Sequence, residues 1–463
     1  MSDVILGLVS GKTFEDESWY NRTNRRRIFR DFPTGQFPLT GLLSLMETES
    51  CDSYKFGWHE KRMPDLSTTV GNSGSPAAPF SATGSNTPSA SPLDFVAGTI
   101  YRVVVASTAL FMTRQQILFN DLPVTGGVDS LQGIVTSIVD DTHLEFQCIE
   151  SLDNVLNTAN LITGGTAGPI NAKVVIIGTA NAEGARSQSG IIYLPMDAEN
   201  YTQIFRDSFE FTATSLKIPT EFDKTGAYAE TAEDTLRDHM VKMEFAFLFG
   251  AKGVQNITDT DGRVKPRRTT GGILWFLKQW EAADSIYRGG TGAAAITDMD
   301  DKDKRLIRVT NGTCTYAQFD RWIQRAFLCT NTKTFEKIVM CGNGALGAIN
   351  EFLRSSSQLT KEFGVQKLYG NDVVTWVSPW GTLHFKSHPL FNQQAHLNYD
   401  MLIIDVNRLR FRPLNDRDTT LLENRQENDT DGRKDEWLTE AGLEVNMPEA
   451  HMYIRNLRSI TAS

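Results

Sequence analysis

The sequence predicts an α+β protein in which an extended arm, a long loop with a small all-β insertion, one long helix and a mixed region follow one another. Three observations support this prediction. Short runs rich in Val, Ile and aromatic residues lie between about 95 and 178. One strongly periodic helix covers 231–249, and short helices and strands alternate after about residue 300.

Length and composition restrict the class of protein. The chain has 463 residues, which is enough for about two to four domains. Its hydrophobic fraction of 40% and charged fraction of 22% are typical of a folded soluble protein. A formal net charge of -10 argues against a general nucleic-acid binder, because such proteins need a basic face.

Cysteine usage and the N-terminal sequence indicate a cytosolic origin. The chain has five widely spaced cysteines and no Cys-x-x-Cys pair, so neither a disulfide framework nor a zinc ribbon is expected. The segment MSDVILGLVSGK has no basic start and too short an apolar run for a signal peptide. No apolar run approaches the roughly 18 residues that a membrane span needs.

Residues 1–50 are expected to form an extended arm, since prolines and glycines interrupt the segment DFPTGQFPLTG. The arm carries a cluster of five arginines: Arg22, Arg25, Arg26, Arg27 and Arg30. One interpretation is a solvated run of charge. The other is a basic arm that contacts acidic partners or packaged nucleic acid.

A Gly/Ser/Pro/Ala-rich segment at 71–92 precedes the predicted β region. It is too polar to order itself, so contacts from outside the segment are needed to hold it. The following runs TIYRVVV, QQILF, QGIVTSIV, THLEFQCI and KVVIIG are separated by turn residues, as in a small sandwich or barrel. We interpret this region, 95–178, as a domain inserted into a long loop that covers 51–200.

The helix at 231–249 is the strongest helical prediction of the chain. Thr231 and Asp234 resemble a capping box, and Gly250 supplies a stop. A helix of this length is about 28 Å long. Its apolar stripe consists of Leu236, Met240, Met243 and Phe247.

The segment KIVMCGNGALGAINEF combines an apolar run, a G-x-G-x-x-G pattern and a helical pattern, which is the local signature of a dinucleotide-binding turn. The continuation does not fit, because the acidic position about 20 residues on is replaced by a charged turn at Lys361-Glu362. The next strand also runs into Pro379 rather than into a second crossover helix. We therefore favour a tight strand-to-helix turn, with a nucleotide-dependent enzyme as the alternative.

Other candidate sites are weak, and no catalytic, cofactor-binding or metal-binding residue is predicted. His384 and His388 are four residues apart, but their β-rich surroundings do not place them on one helical face, and His396 is the candidate third ligand. His59 and Glu60 are neighbours on a predicted strand and therefore point to opposite faces. Two Asp-x-Asp-Gly segments lack calcium ligands at the required positions.

The order of the elements resembles that of the major capsid proteins of tailed bacteriophages, which have the Hong Kong 97-type fold. The resemblance is to the branch that carries a β insertion in its extended loop. The segments that carry it are FGWHE with Phe56, Trp58 and Glu60, NAEGARS with Glu183-Gly-Ala185, YTQIF at 201–205, the helix with its FLFGAKG ending, and Ala450-His451.

The resemblance implies a division of the chain into regions of the capsid fold. These regions are an N-terminal arm at 1–50, an extended loop at 51–200, a peripheral domain with a spine helix at 201–300, an axial domain at 301–400, and a return to the peripheral domain at 401–463.

The resemblance also implies a function. The chain is expected to self-assemble into hexamers and pentamers of an icosahedral shell that encloses double-stranded DNA, in a virion assembled in the host bacterial cytoplasm. Expected partners are a scaffolding protein, a portal and a decoration protein, and no membrane. A phage-derived bacterial nanocompartment shell is a further alternative. The residues expected to contact neighbouring subunits are Arg22, Arg25, Arg26, Arg27, Arg30, Phe56, Trp58 and Glu60.

Overall fold

The structure of the protein is a computed structural model with two compact units, one from residues 1–60 and 196–463 and the other from 61–195. Their mixture of helices and strands confirms the α+β class. The structure describes residues 39, 48–61, 66–71, 80–82, 93–124, 127–155, 172–186, 190, 192, 194–217, 227–258, 262–282, 304–328, 335–355, 365–368 and 371–461.

Strand β1 (Lys55–Glu60) belongs to the first unit and precedes the second unit in the sequence. The described part of the second unit is all-β. Its strands are β2 (Ser67–Thr69), β3 (Phe80–Ala82), β4 (Leu93–Phe95), β5 (Ile100–Val104), β6 (Gln115–Val124), β7 (Gly127–Ile138), β8 (His143–Cys148), β9 (Leu152–Val155) and β10 (Lys173–Thr179).

The second unit is a small barrel. Its strands run in the order β2-β10-β6-β7-β8-β5-β3, with β9 linking β4 to β6. A bridge between Val70 and Val105 joins the ends of β2 and β5, so the sheet closes on itself. Side chains alternate between the two faces of each strand, and the inner face carries Phe95, Phe119 and Phe146, all fully buried. The rings of Phe119 and Phe146 lie 4.7 Å apart.

The rest of the first unit contains more elements. In chain order they are β11 (Met196–Tyr201), β12 (Gln203–Thr212), α1 (Ala213–Lys217), α2 (Ala227–Phe249), β13 (Gly253–Thr258), β14 (Val264–Thr269), α3 (Ile273–Glu281), β15 (Leu306–Arg308), β16 (Thr313–Thr315), α4 (Tyr316–Leu328), β17 (Glu336–Cys341), α5 (Asn343–Ser355), β18 (Val365–Leu368), β19 (Asn371–Ser378), β20 (Gly381–Ser387), α6 (Pro389–Gln393), β21 (Met401–Ile404), β22 (Leu409–Pro413), β23 (Thr420–Leu422), β24 (Gly432–Val445), β25 (Met452–Arg455) and β26 (Ser459–Thr461).

The long helix α2 packs on an antiparallel sheet in which β24 pairs with β12, β22 and β23. The helix begins four residues before the predicted start, so Thr231 lies inside it and accepts a hydrogen bond from the Thr235 hydroxyl at 2.7 Å. The predicted capping box is therefore wrong. The predicted apolar stripe is buried in the C-terminal half of the helix, at Met243 and Phe247. Leu236 and Met240 of the same stripe are half-buried.

A second, mixed sheet has the strand order β15-β25-β21-β17-β20-β19-β18 among the described residues. Its central strands are covered on both faces, which explains why they are continuous apolar runs rather than alternating ones. Val339 and Cys341 of β17 face a core that includes α4 and α5. Ile338 and Met340 of the same strand face the core that includes α2 and α3.

Candidate assembly surfaces

The glycine-rich turn is a strand-to-helix connection whose amides already have partners in the chain. The N–H groups of Gly344 and Ala345, in the first turn of α5, donate to the side chain and the carbonyl of Asn398 at 3.0 and 3.1 Å. Asn343 N donates to the side-chain oxygen of Asn392 at 2.7 Å. A Cβ on Gly342 would lie 2.2 Å from the Asn398 carbonyl oxygen. The glycines therefore admit a neighbouring segment of the same chain to the place that a pyrophosphate takes in a nucleotide site.

The candidate histidine ligands lie in different environments. His384 is buried on β20, where burial lowers its pKa, and its ring lies 3.2 Å from the Thr375 hydroxyl. His388 immediately precedes α6 and contacts Glu244, whereas His396 is exposed. Within the described residues no three His, Cys, Asp or Glu side chains are grouped as a metal site requires, and no helix is long and apolar enough to cross a membrane.

Phe56, Trp58 and Glu60 lie on the inner face of the β1–β11 ribbon and are buried in their own subunit. The Trp58 ring lies 5.7 Å from Phe276 of α3, and its indole N–H donates to Glu60 at 2.8 Å. Glu60 also accepts from Met447 N at 2.8 Å. The ring of Phe56 fills the space beside Gly442, where a Cβ would come within 2.5 Å of it. In this structure these three side chains hold the ribbon on the core.

The opposite face of the same ribbon is exposed and charged. Lys55 contacts Glu199 at 2.5 Å, and His59 contacts Asp197 at 2.5 Å. Lys252 contacts Glu199 at 2.9 Å, and the hydrogen bonds from Lys55 and Lys252 lower the pKa of Glu199. This outer face is therefore the exposed side of the ribbon, and its charges are paired within the subunit.

An exposed apolar groove lies at one end of the mixed sheet, between the end of α4, the start of β17 and the turn from β19 to β20. Its volume is about 560 Å³. Four large apolar side chains of the groove are exposed: Leu328 is 57% exposed, Phe335 56%, Val377 58% and Trp380 38%. Large apolar side chains exposed together in one groove make it a candidate contact surface for another protein. No sequence pattern predicted this groove, although the Pro379-Trp380 pair in a turn is a signal of it.

The predicted arginine cluster lies outside the described residues, as does most of the segment 71–92. One described residue of the N-terminal region is Leu39, which is fully buried. Its N–H donates to Glu244 of α2 at 2.9 Å. The N-terminal region is therefore held against the long helix at this point.

Residues 21–458 match the family described as SU10 major capsid protein. The chain belongs to this family. The match confirms the resemblance to phage major capsid proteins that the order of elements indicated.

A curated relative of this capsid protein is the major capsid protein of Pseudomonas phage PaMx41. It is 24% identical over 236 residues, which is 51% of this chain and 50% of the relative. The chain thus spans about half the length of the curated relative it matches.

Among the solved structures similar to this capsid protein are two from phage particles. The satellite phage P4 procapsid, which includes the size determination protein, has a subunit with 12% identity and a TM-score of 0.34, covering 65% of this chain and 82% of that one. The capsid of the cyanophage P-SCSP1u gives 10% identity and a TM-score of 0.35, covering 62% and 81%.

Proposed function

We propose that the protein is the building block of a closed icosahedral shell that encloses the double-stranded DNA of a tailed phage. The observation that carries the proposal is the match to a major capsid protein family over residues 21–458. Subunits associate into hexamers and pentamers, and the role of the chain is structural rather than catalytic. The exposed groove at Leu328, Phe335 and Trp380 supports self-association, because burying apolar surface between subunits is favourable.

The regions take the roles that the resemblance assigns. Residues 301–400 act as the axial domain, 201–300 and 401–463 as the peripheral domain, and 51–200 as the extended loop with its β insertion. Partners in assembly are a scaffolding protein, a portal and a decoration protein, and the product is a virion assembled in the host bacterial cytoplasm. Arg25, Arg26 and Arg27 of the arm contact a neighbouring subunit, so replacing all three by Ala weakens assembly, most visibly at low salt, where these charges are least screened.

Expression of the full chain with a scaffolding protein tests the proposal. Negative-stain electron microscopy should show closed particles, and native mass measurement should show hexamers or pentamers. Monomers alone in both measurements would overturn the proposal. Particles that carry nuclease-resistant DNA support a virion shell, whereas particles that carry an enzyme cargo would reassign the chain to a nanocompartment.

A further inference from the structure

The β13–β14 hairpin is a two-stranded ribbon in the described part of the chain. Its strands pair from Gly253 opposite Thr269 to Thr258 opposite Val264, and within the described residues neither strand pairs with a third. Side chains on both of its faces are exposed, including Val254 at 47% and Val264 at 66%. A two-stranded ribbon is only marginally stable in water by itself, so a partner surface would stabilise it.

The two faces of the hairpin differ in chemistry. One face carries Val254, Asn256, Val264 and Pro266, all exposed. The other carries the exposed Lys265 and Arg267 beside Gln255, which accepts a hydrogen bond from Arg267 at 2.7 Å.

The charge of the two strands is basic. They contain Lys265, Arg267 and Arg268 and no acidic residue, and Arg263 comes just before β14. The guanidinium of Arg268 lies over the Tyr54 ring at 3.9 Å, so it holds the base of the hairpin. The two nearby aspartates of the sequence, Asp259 and Asp261, lie in the turn outside the described residues.

A surface of complementary charge lies on the loop that connects β23 to β24, which we call the distal loop (residues 423–431). It contains four acidic residues and a single basic one. Arg425 lies 3.8 Å from Glu436 of β24, and Glu423 pairs with Arg433 at 3.1 Å. The exposed acidic residues of the loop without an ion pair to another described residue are Glu427, Asp429 and Asp431.

The hairpin and the distal loop lie at opposite ends of α2. The hairpin follows the C-terminus of the helix, where Gly272 N donates to Gly250 O at 2.9 Å. The distal loop is held near the N-terminus of the helix, because Asn424 N donates to Asp435 at 2.8 Å and the Tyr228 hydroxyl bonds the same carboxylate.

Tyr228 and Gly250 are about 33 Å apart along the helix. A six-residue strand reaches only about 20 Å, so the hairpin does not reach the distal loop of its own chain. Two complementary surfaces at opposite ends of one subunit produce a head-to-tail contact between copies, which closes into a ring when the rotation allows.

We infer that the β13–β14 hairpin of one subunit docks on the distal loop of a second copy of this chain, with Lys265 and Arg267 facing Glu427 and Asp429. The inference deepens the proposed shell function and rests on it. DNA is the other polyanion that a basic ribbon binds, but the chain itself carries an acidic surface in the distal loop, so the charges of the described residues favour a second copy as the partner.

A charge-swap experiment with the full chain tests the inference. The double variant Lys265→Glu with Arg267→Glu should raise the protein concentration needed for assembly about tenfold, because like charges across an interface oppose association. The double variant Glu427→Lys with Asp429→Lys should do the same. Combining all four changes should restore assembly toward the wild-type level. The matched control Lys173→Glu with Arg186→Glu, on exposed positions of the second unit, should assemble normally.

Each result separates the inference from the function on which it rests. Unchanged thermal unfolding of the four variants shows that folding is not the cause. Wild-type assembly by the hairpin variant would overturn the inference while leaving the shell function intact. A defect that the combined variant does not rescue would also overturn it, as would normal empty shells that fail only to retain DNA. Absence of particles from the wild-type chain would instead reject the proposed function.

Discussion

Glu244 and His388 lie 3.0 Å apart with both side chains fully buried, although they are 144 residues apart in the sequence. The same carboxylate accepts the N–H of Leu39 at 2.9 Å. The contact therefore joins α2, the start of α6 and the N-terminal region. Buried polar groups of this kind are costly when a partner is removed, because desolvation of the remaining group is no longer offset.

Replacing Glu244 by Ala should lower the free energy of unfolding by about 3–5 kcal/mol, since His388 and the Leu39 amide lose their buried acceptor. Chemical denaturation measures the change. Glu233→Ala on the same helix is the control, because that side chain is 56% exposed and its pair with Arg237 contributes at most about 1 kcal/mol. Equal effects of the two variants would contradict the role of the buried contact.

Phe247 is fully buried between the rings of Phe205 and Phe411, at 6.2 and 6.0 Å. Phe247→Ala should cost about 3–5 kcal/mol of unfolding free energy, from lost burial and the cavity left behind. Phe335→Ala removes the same atoms from a 56% exposed position and should stay within about 0.5 kcal/mol of wild type. Thermal unfolding of both variants distinguishes a core position from a surface one.

The first and last glycines of the GNGALG turn should respond differently to substitution. Gly342→Ala should destabilise the subunit, because its Cβ would lie 2.2 Å from the Asn398 oxygen. Gly347→Ala should be neutral or stabilising by up to about 1 kcal/mol, since nothing lies within 4 Å of its Cβ and alanine favours the helix. Denaturation midpoints measure both. A dinucleotide-binding turn would instead show loss of adenine nucleotide binding in both variants.

The exposed groove should matter for assembly and not for folding. Phe335→Asp places a charge in a surface that becomes buried when subunits associate, so particle yield should fall. Thermal stability should change by no more than about 0.5 kcal/mol, because Phe335 is 56% exposed. Val96→Asp is the matched control at a 54% exposed position of the barrel unit. Normal particle yield from the Phe335 variant would remove the groove from the contact surface.

His451 should make the subunit less stable as pH falls. Burial, together with the positive charges of Lys337 and Arg408, lowers its pKa to about 3. An unfolded histidine has a pKa of about 6.5, so between these values the unfolded state binds the extra proton and the free energy of unfolding decreases as pH falls.

The measurement is the slope of unfolding free energy between about pH 7 and pH 5, above the range in which carboxylates titrate. His451→Gln should flatten this slope, because it removes the buried group whose pKa is lowered. His239 and His384, whose pKa values burial also lowers, add to the slope in the same direction. An identical slope in wild type and His451→Gln would contradict the neutral buried histidine.

Local sequence patterns determined several parts of the structure before any tertiary contact was known. The helix ending at Phe249 was predicted because apolar residues recur with its period and Gly250 stops it. The strands of the barrel were predicted because one face of each is buried, which imposes alternation on the sequence. The prediction of a strand-to-helix turn at Gly342 was also correct, because the glycines and the apolar patterns of the flanking strand and helix are local signals.

Only the tertiary structure shows which partners the residues of these patterns contact. The sequence singles out Phe56 and Trp58, but only the structure shows their contacts. Trp58 packs on Phe276 and Phe56 lies beside Gly442, both in the core of the same subunit. The glycines of the GNGALG turn resemble a nucleotide site in the sequence, but in the structure Asn398 accepts the hydrogen bond from Gly344 N. Nothing local in the sequence pairs Glu244 with His388, because their contact depends on segments 144 residues apart. Periodicity is set by neighbours along the chain, whereas a buried charge, a filled turn or an exposed groove is set by which distant segments pack together.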